Sequence, residues 1–191
     1  MKRLLKAIRL TVVFCIFLSV FYVLVLWLFA KVAGPNKGNA EVVTLNGRVV
    51  GAANVGQKFT DDRYFWGRPS CAGEGYDGMR SGGSNKAVSN PEYLHEVKER
   101  INVFLQHHPY LKAEDIPAEM VTASGSGLDP DITPKSADIQ VRRVAKARAM
   151  SEATVRNIVA QCTEKPLFGF MGTGKVNVLK LNVLLDSLRS Y

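Results

Sequence analysis

Two glycine-rich segments carry residue types that could bind phosphate or attack a carbonyl group. The first, Gly169–Lys175, matches most of the phosphate-binding loop pattern G-x-x-x-x-G-K-[ST], in which backbone N–H groups surround the phosphates and the lysine balances their charge. Val176 stands where the magnesium-binding hydroxyl should be, and no clear buried strand leads into the segment. We therefore reject a phosphate-binding loop and predict a turn before the last helix.

The second glycine-rich segment, Thr122–Gly127, offers Ser124 or Ser126 as a nucleophile. A nucleophile elbow, G-x-S-x-G, requires a glycine where Thr122 stands before Ser124. The three histidines of the chain all fall on or at the end of one predicted helix, where packing is their expected role. A serine triad is therefore not supported, and we predict a tight backbone turn that packs against another element.

Acidic and sulfur side chains offer weaker candidates for a site. Asp129-Pro130-Asp131 could supply oxygens to a hard cation or form an acid pair, but two acids around a proline more often make a turn that caps the next helix. The spacing of the histidines and cysteines predicts no zinc site. Cys71 and Cys162 could form a disulfide in an oxidising compartment, and their number alone leaves that question open. We expect neither a catalytic residue nor a bound metal.

The first element that must position these residues is an apolar segment near the N-terminus. Leu10–Ala30 contains 21 residues and no charge, and as a helix it would span about 30 Å, the thickness of the hydrocarbon core of a bilayer. A signal peptide usually has an apolar region of about 7–15 residues followed by a small-x-small cleavage site. Cleavage after Ala30 or Ala33 would place Leu28 or Lys31 at the minus-three position, so we expect the helix to be retained.

Charge predicts the orientation of this helix. Four basic residues and no acidic one precede it, which favours a cytoplasmic N-terminus. We therefore predict a cytoplasmic tail over residues 1–9, a transmembrane helix over 10–30, a juxtamembrane linker over 31–40 and an extracytoplasmic, periplasmic domain over 41–191 of a single-pass inner-membrane protein. The net charge of +8 falls to a mild excess once the tail is set aside, and no basic patch with interleaved aromatic residues indicates nucleic-acid binding.

Small residues recur every fourth position along the predicted transmembrane helix. Thr11, Cys15 and Ser19 lie on one stripe among larger apolar side chains. Such a stripe lets a second membrane helix approach closely, whereas a simple anchor tolerates small residues anywhere. We favour contact with a partner helix.

The exported part is predicted to be α+β, with a small antiparallel sheet and several packed helices. Asn46-Gly47 between apolar runs predicts a tight hairpin, and a further strand is expected near Lys58-Phe59 or Tyr64–Trp66. Ser70–Asn85 is expected to be a long loop, with a helix after it that begins near Pro91 and buries an apolar face. The face consists of Leu94, Val97, Ile101, Phe104 and Leu105. Further helices are expected from Thr133-Pro134 to about Arg148, after Ser151, and from about Val178 to Leu188.

Several short segments follow one another in a characteristic order behind this helix. They are Gly51–Phe59; Tyr64, Phe65, Trp66, Gly67, Arg68, Pro69 and Ser70; Ser81, Gly82, Gly83, Ser84 and Asn85 with Asn90-Pro91; Val121–Gly127, centred on Ser124, Gly125, Ser126 and Gly127, with Leu128, Asp129 and Pro130; Gln140-Val141 with Arg143–Ala145; and Val176–Leu179 with Leu181-Asn182. Together they resemble the C subunit of the Kdp-type potassium-transporting ATPase of bacteria over nearly the whole chain. The family usually has alanine at Cys71, proline at Arg142 and histidine at Cys162, and it usually lacks the Gly174-Lys175 pair.

The resemblance implies an accessory, non-catalytic subunit. Its implied partners are a channel-like potassium-translocating subunit, a P-type ATPase subunit that hydrolyses ATP, and a very small single-span subunit. ATP and potassium are handled by those partners, and no cofactor is assigned to this chain. The implied role is assembly and stability of the complex, together with action as a catalytic chaperone that raises the ATP affinity of the ATPase subunit. The residues alone leave two alternatives, a signal-anchored periplasmic hydrolase and a tethered binding module.

Overall fold

The computed structural model describes residues 1–188 and divides the chain into two compact units, Met1–Glu41 and a second unit that begins at Val42. The first unit is a continuous helical rod of α1 (Lys2–Ile16), a π-helical turn (Phe17–Tyr22) and α2 (Val23–Ala33). Within the described residues, this rod is the one helix long and apolar enough to cross a membrane, with a mean hydropathy of 2.9 over its most apolar window. The last three residues of the expected 41–191 domain lie outside the described part.

The π-helical turn falls within the predicted small-residue stripe. Thr11 and Cys15 lie on α1, whereas Ser19 lies in the wider turn, where its hydroxyl donates a hydrogen bond to the backbone carbonyl of Cys15. A serine that bonds back to the preceding turn in this way often bends or widens a helix. The packing role of the stripe stays a prediction.

The second unit begins with the predicted hairpin, which is confirmed. Strand β1 (Val42–Leu45) pairs antiparallel with β2 (Arg48–Ala52). The φ angles of Asn46 and Gly47 are +51° and +76°, the left-handed values that a type I′ turn requires at both central positions.

A second, three-stranded antiparallel sheet has the order β3-β5-β4, with β3 at Asp131–Ile132, β4 at Thr163–Glu164 and β5 at Lys175–Asn177. The strand expected near Lys58-Phe59 or Tyr64–Trp66 is wrong. The backbone N–H groups of Phe65 and Trp66 bond instead to side chains that lie more than 70 residues away in sequence. Sequence pattern predicts pairing between strands but cannot show that side chains take the place of a neighbouring strand.

The helices of this unit are α3 (Pro91–His107), α4 (Pro134–Asp138), α5 (Val141–Arg148), α6 (Glu152–Cys162) and α7 (Val178–Ser187). Asn90 caps α3, Thr133 caps α4 and Ser151 caps α6, each by accepting a backbone N–H with its side chain. The single helix predicted from Thr133 to about Arg148 is wrong, because the chain breaks between α4 and α5. Gln140 lies at that break with its side chain fully buried.

The hydrophobic core lies between α4–α7, the three-stranded sheet and the C-terminal half of α3. Its largest fully buried apolar side chains are Phe65, Ile132, Leu181 and Leu185. The predicted apolar face of α3 is only partly correct, because Phe104 is buried while Leu94 is 53% exposed. The core therefore begins near the end of α3 and leaves its first turns in solvent.

Candidate functional site

Three loop segments that are far apart in sequence come together in the second unit. We call Arg68–Ser70, Ser81–Gly83 and Ser124–Gly127 the glycine-serine cluster. The Ser70 hydroxyl donates to the Gly127 carbonyl at 2.5 Å and accepts the Tyr76 N–H at 2.7 Å. The carbonyl of Ser126 accepts both the Ser81 hydroxyl and the Gly82 N–H at 2.9 Å. The cluster therefore closes the long 70–85 loop onto the 124–127 turn.

Two glycines in the cluster are required by close backbone approach. Gly127 has φ +67°, and a Cβ atom there would lie 2.7 Å from both the Ala72 nitrogen and the Gly82 oxygen. At Gly83 a Cβ would lie 3.1 Å from the Gly125 oxygen, whereas Gly125 itself has open space. The turn predicted over Thr122–Gly127 is confirmed, and its Gly127 allows the close packing between loops.

Arg68 joins the cluster to the acidic turn at Asp129–Asp131. Its guanidinium donates to Asp129 Oδ2 at 3.1 Å and to the Ala123 carbonyl at 3.4 Å. The other Asp129 oxygen, Oδ1, accepts the Asp131 N–H at 3.1 Å, which makes the predicted turn. The following helix, α4, is capped by Thr133 and not by either acid. Both carboxylates are thus engaged within this chain, Asp131 through Lys175 at 2.9 Å.

The serines of the cluster do not form a nucleophile–base pair. Ser124 is almost completely buried, and the Ser126 hydroxyl accepts the Leu128 N–H at 3.1 Å. His95 pairs with Glu99, His107 with Asp62, and His108 with Phe104 and Arg143. Throughout residues 1–188, no serine hydroxyl is hydrogen-bonded to a histidine. The arrangement offers no activated serine.

The Gly169–Lys175 segment does not form a phosphate cradle. It begins within a tight hairpin, in which Leu167 and Met171 exchange backbone hydrogen bonds at 3.0 and 2.9 Å, and it ends in β5 rather than at the start of a helix. Lys175 is held by Asp131 and, at 3.5 Å, by Glu164. The turn predicted before the last helix is confirmed. A lysine between two carboxylates is poorly placed to bind phosphate.

Tyr64–Trp66, the first part of the Tyr64–Ser70 segment, is held by a buried polar network. Asn182 accepts the Phe65 N–H and donates to its carbonyl, at 2.8 and 3.0 Å. Gln140 accepts the Trp66 N–H and donates to the Trp66 carbonyl, at 2.8 and 3.2 Å. Each side chain therefore replaces the pair of backbone bonds that a neighbouring strand would make.

Two arginines complete this polar network. Arg143 is almost fully buried and donates to the carbonyls of Asp62 and Tyr64 at 2.7 and 3.0 Å, and to His108 Nε2 at 2.9 Å. Burial lowers the pKa of Arg143 to about 10. Arg148 donates to the Arg63 carbonyl at 2.6 Å and to Asp186 at 2.8 Å. Sequence reasoning noted Gln140, Arg143 and Asn182 only as parts of the resemblance and missed the role of all four side chains.

His108 must be neutral in this network. Its Nε2 accepts from Arg143, and its Nδ1 lies 2.8 Å from the Phe104 carbonyl, so the proton lies on Nδ1. Burial lowers the pKa of His108 to about 4, and the neighbouring Arg143 cation adds to the effect. The imidazole is also stacked on the Phe104 ring at 4.0 Å between centroids.

A groove of about 570 Å³ runs between the Trp66–Ser70 segment and α3. Its apolar floor includes Phe59, Trp66 and Phe104, and its rim carries charges of both signs, among them Lys58, Glu74, Glu96 and Arg100. Protein–protein contact surfaces commonly combine an apolar centre with a polar rim, as this groove does. Predicted site residues Trp66, Gly67, Arg68, Pro69 and Ser70 line this groove.

A second cleft, of about 840 Å³, lies between the end of α3 and α5 and carries Arg142, Arg143, Lys146 and Asp62. Ser84 and Asn85 follow the cluster without a hydrogen bond in the described part of the chain. Among the described residues, no group of three or more His, Cys, Asp or Glu side chains could hold a metal ion. Cys15, Cys71 and Cys162 are free thiols.

Comparison with known proteins shows which family this chain is similar to. Residues 4–187 match the family model described as K+-transporting ATPase, c chain. The potassium-transporting ATPase KdpC subunit of Bacteroides fragilis is 68% identical over 190 residues, covering 100% of both chains. The corresponding subunits of Bacteroides thetaiotaomicron and Flavobacterium psychrophilum are 67% and 50% identical, covering 97% and 99% of this chain and 98% and 100% of their own.

Proposed function

This chain belongs to the family of the K+-transporting ATPase c chain, and from that premise we propose that it is a non-catalytic subunit that stabilises an assembled, ATP-driven potassium uptake complex. The observation that carries the proposal is the use of the motif side chains. Ser70, Arg68 and Gln140 bond to backbone groups or side chains of this same chain, and none is paired with a catalytic base. Motif residues used in this way fix a shape, which is what a docking subunit requires.

The partners that we propose are a channel-like potassium-translocating subunit, a P-type ATPase subunit and a small single-span subunit. The groove beside Trp66–Ser70 is one surface suited to such contact, because it combines an apolar floor with a mixed-charge rim. The helix Lys2–Ala33 is a second, since no side chain on it is buried by the rest of the described chain. Contact through both would tie the complex together inside and outside the bilayer.

We further propose that the unit beginning at Val42 lies on the periplasmic side, over the outer face of the potassium-translocating subunit. The proposal is supported by Lys2, Arg3, Lys6 and Arg9, which favour retention of the N-terminal tail in the cytoplasm. Any effect of this chain on the ATP affinity of the ATPase subunit would then act through subunit contacts, because cellular ATP is on the other side of the membrane. Titration calorimetry of the purified chain with ATP should accordingly detect no binding, and micromolar binding would favour direct nucleotide contact.

The central test keeps residues 1–41 and deletes the second unit in the assembled complex. We expect the truncated chain no longer to co-purify with the partner subunits, because the proposed outer contacts are gone. We also expect potassium-stimulated ATPase activity to be abolished. Normal activity in such an assembly would contradict the proposal. A second variant, the full-length chain with its helix replaced by an unrelated transmembrane segment, tests the tethered-module alternative. That alternative predicts no loss of co-purification or of ATPase activity.

The hydrolase alternative makes a different prediction for the full-length chain. If the serine loop were catalytic, Ser124→Ala or Ser126→Ala would abolish the activity of this chain without weakening its association with membrane partners. Under our proposal, Ser126→Ala changes neither potassium-stimulated ATPase activity nor co-purification by more than about twofold, since exposed substitutions usually change stability by less than about 0.5 kcal/mol.

A further inference from the structure

The hairpin between β4 and β5 exposes an unusual amount of apolar surface. We call Pro166–Met171 the apolar hairpin. Four of its six residues have large, apolar and mainly solvent-exposed side chains: Leu167 at 62%, Phe168 at 78%, Phe170 at 79% and Met171 at 52%. Single exposed apolar residues are normal on a protein surface, but a contiguous group marks a site of interaction.

The backbone of the apolar hairpin holds these side chains in a defined turn. Leu167 and Met171 bond to each other through both backbone groups, and the Gly169 N–H bonds to the Pro166 carbonyl at 2.9 Å. Phe168 has φ +55°, a left-handed conformation that costs a residue with a side chain about 1–2 kcal/mol. A bulky aromatic residue at such a position is strained, and such strain is characteristic of binding surfaces.

The chemistry of the apolar hairpin fits lipid better than a folded protein. Pro166–Gly174 contains no charged residue, so burial of the tip in an apolar medium would desolvate no ion. Two exposed phenylalanines with a leucine and a methionine offer a few hundred Å² of apolar surface. A stable protein interface requires about 800 Å² on each partner, whereas insertion into the bilayer interface needs only apolar side chains at a projecting tip.

The covalent structure keeps the second unit close to a membrane. Residues 34–41 join the end of α2 at Ala33 to the start of β1 at Val42, and even fully extended they reach only about 30 Å. In a chain anchored by Lys2–Ala33, the first residue of the second unit therefore stays within about 30 Å of the end of the anchoring helix. A tether of this length raises the effective concentration of bilayer around the second unit, which favours even a weak apolar contact.

We infer that the apolar hairpin inserts Phe168 and Phe170 into the interfacial layer of the bilayer that anchors the chain. The contact provides a second attachment to the membrane, beside the N-terminal helix. It depends on that helix and not on the proposed role in potassium uptake, so it applies on whichever side of the membrane the second unit lies. Because the tip carries no charge, insertion does not require anionic lipid.

The test uses the full-length chain alone, reconstituted in vesicles of neutral phosphatidylcholine, with its three native cysteines replaced by serine. A single cysteine at Phe170→Cys carries an environment-sensitive NBD fluorophore. The matched control places the same fluorophore at Met79→Cys, since Met79 is a 93% exposed apolar side chain in the long 70–85 loop. Nitroxide-labelled lipid and aqueous iodide then measure contact with lipid and with water.

We expect nitroxide lipid to quench the Phe170 label at least threefold more strongly than the Met79 label. Aqueous iodide should quench the Met79 label more strongly than the Phe170 label. Both results should hold at low and at high salt. Equal quenching of both labels would overturn the inference. Shielding of the Phe170 label that arises only when partner subunits are added would also overturn it, in favour of a protein contact. A double variant, Leu167→Ser with Phe168→Ser, should bring the Phe170 label back to the control value, and thermal unfolding confirms that this variant is folded.

Discussion

At the scale of single residues, the position of the 62–66 segment depends on polar side chains that are buried and hydrogen-bonded. Arg143 is 5% exposed and joins the carbonyls of Asp62 and Tyr64 to His108 and Gln140. A buried cation stabilises a protein only when its hydrogen bonds are satisfied, and each bond lost here would leave a buried acceptor without a partner. The network therefore specifies one position for the 62–66 segment, which a purely apolar contact would leave less defined.

The same network makes stability sensitive to acid. The pKa of His108 is about 4 when folded, against an ordinary value of 6.5, so the unfolded chain binds the proton more readily between those values. Stability from this residue is complete above pH 6.5 and is lost as the pH falls towards 4. Between pH 7 and pH 5 we expect a loss of about 2 kcal/mol, since each pKa unit corresponds to about 1.4 kcal/mol. Denaturant titration of the full-length chain in detergent at both pH values measures it.

The variant His108→Gln provides the control for this pH dependence. Glutamine does not titrate, so the difference in unfolding free energy between pH 7 and pH 5 should shrink by about 2 kcal/mol relative to the parent chain. The hydrogen bond from Arg80 lowers the pKa of Asp77, and at Glu119 burial raises the pKa but hydrogen bonds from Ser136 and Thr133 lower it overall. Both carboxyl groups therefore stay ionised in the folded chain between pH 7 and pH 5 and contribute little to this difference. An unchanged difference in the variant would show that His108 is not the group responsible.

At the scale of elements, local signals in the sequence predicted local structure well. Asn46-Gly47 specified a turn with two positive φ angles, Pro91 indicated the first turn of α3 and Ser151 the start of α6, because each acts on groups within three residues of itself. The Tyr64–Trp66 segment was mistaken for a strand because its partners, Gln140 and Asn182, are distant in sequence. A pattern of apolar residues cannot show which distant side chain will satisfy a backbone N–H.

The glycine-serine cluster illustrates the same limit for the candidate site. Its composition predicted a tight turn at Thr122–Gly127, but not the loop that packs on it. Gly82 and Ser81 meet Ser126 only through the fold of the 70–85 loop, for which no periodicity exists in the sequence. The resemblance to a family singled out both the loop and the turn. The structure shows the physical reason, because the two segments are hydrogen-bonded to each other.

Replacing single glycines in this cluster tests whether they are needed for close packing or only for loop flexibility. Gly127→Ala places a Cβ 2.7 Å from two backbone atoms and at φ +67°, so we expect a loss of about 2 kcal/mol or more. Gly125→Ala meets open space and should change stability by less than about 0.5 kcal/mol. Thermal and denaturant unfolding of both variants measures the difference. Equal stability of the two would mean that the cluster does not hold the loops together.

At the scale of the whole molecule, the chain combines an apolar rod with a folded unit that has its own core. The rod, Lys2–Ala33, has no buried side chain in the described structure, so its apolar surface is available to lipid or to another helix. The folded unit has a buried core and an engaged polar network of its own. The sequence predicted the apolar rod from composition, because a charge-free run of 21 residues matches the length of a membrane-spanning helix. The bounds of the tail, the linker and the exported domain stay predictions.

The orientation of the rod is the property on which the proposed periplasmic role depends. We expect a cysteine at Met79→Cys, in a chain without its native cysteines, to react with a membrane-impermeant maleimide in cells whose outer membrane is permeabilised. A cysteine at Lys2→Cys should react only after the inner membrane is lysed, because the three basic residues that remain in the tail still oppose translocation. Reaction of Lys2→Cys before lysis, with protection of Met79→Cys, would place the folded unit in the cytosol. That result would return direct nucleotide contact to consideration, since the unit would then face cellular ATP.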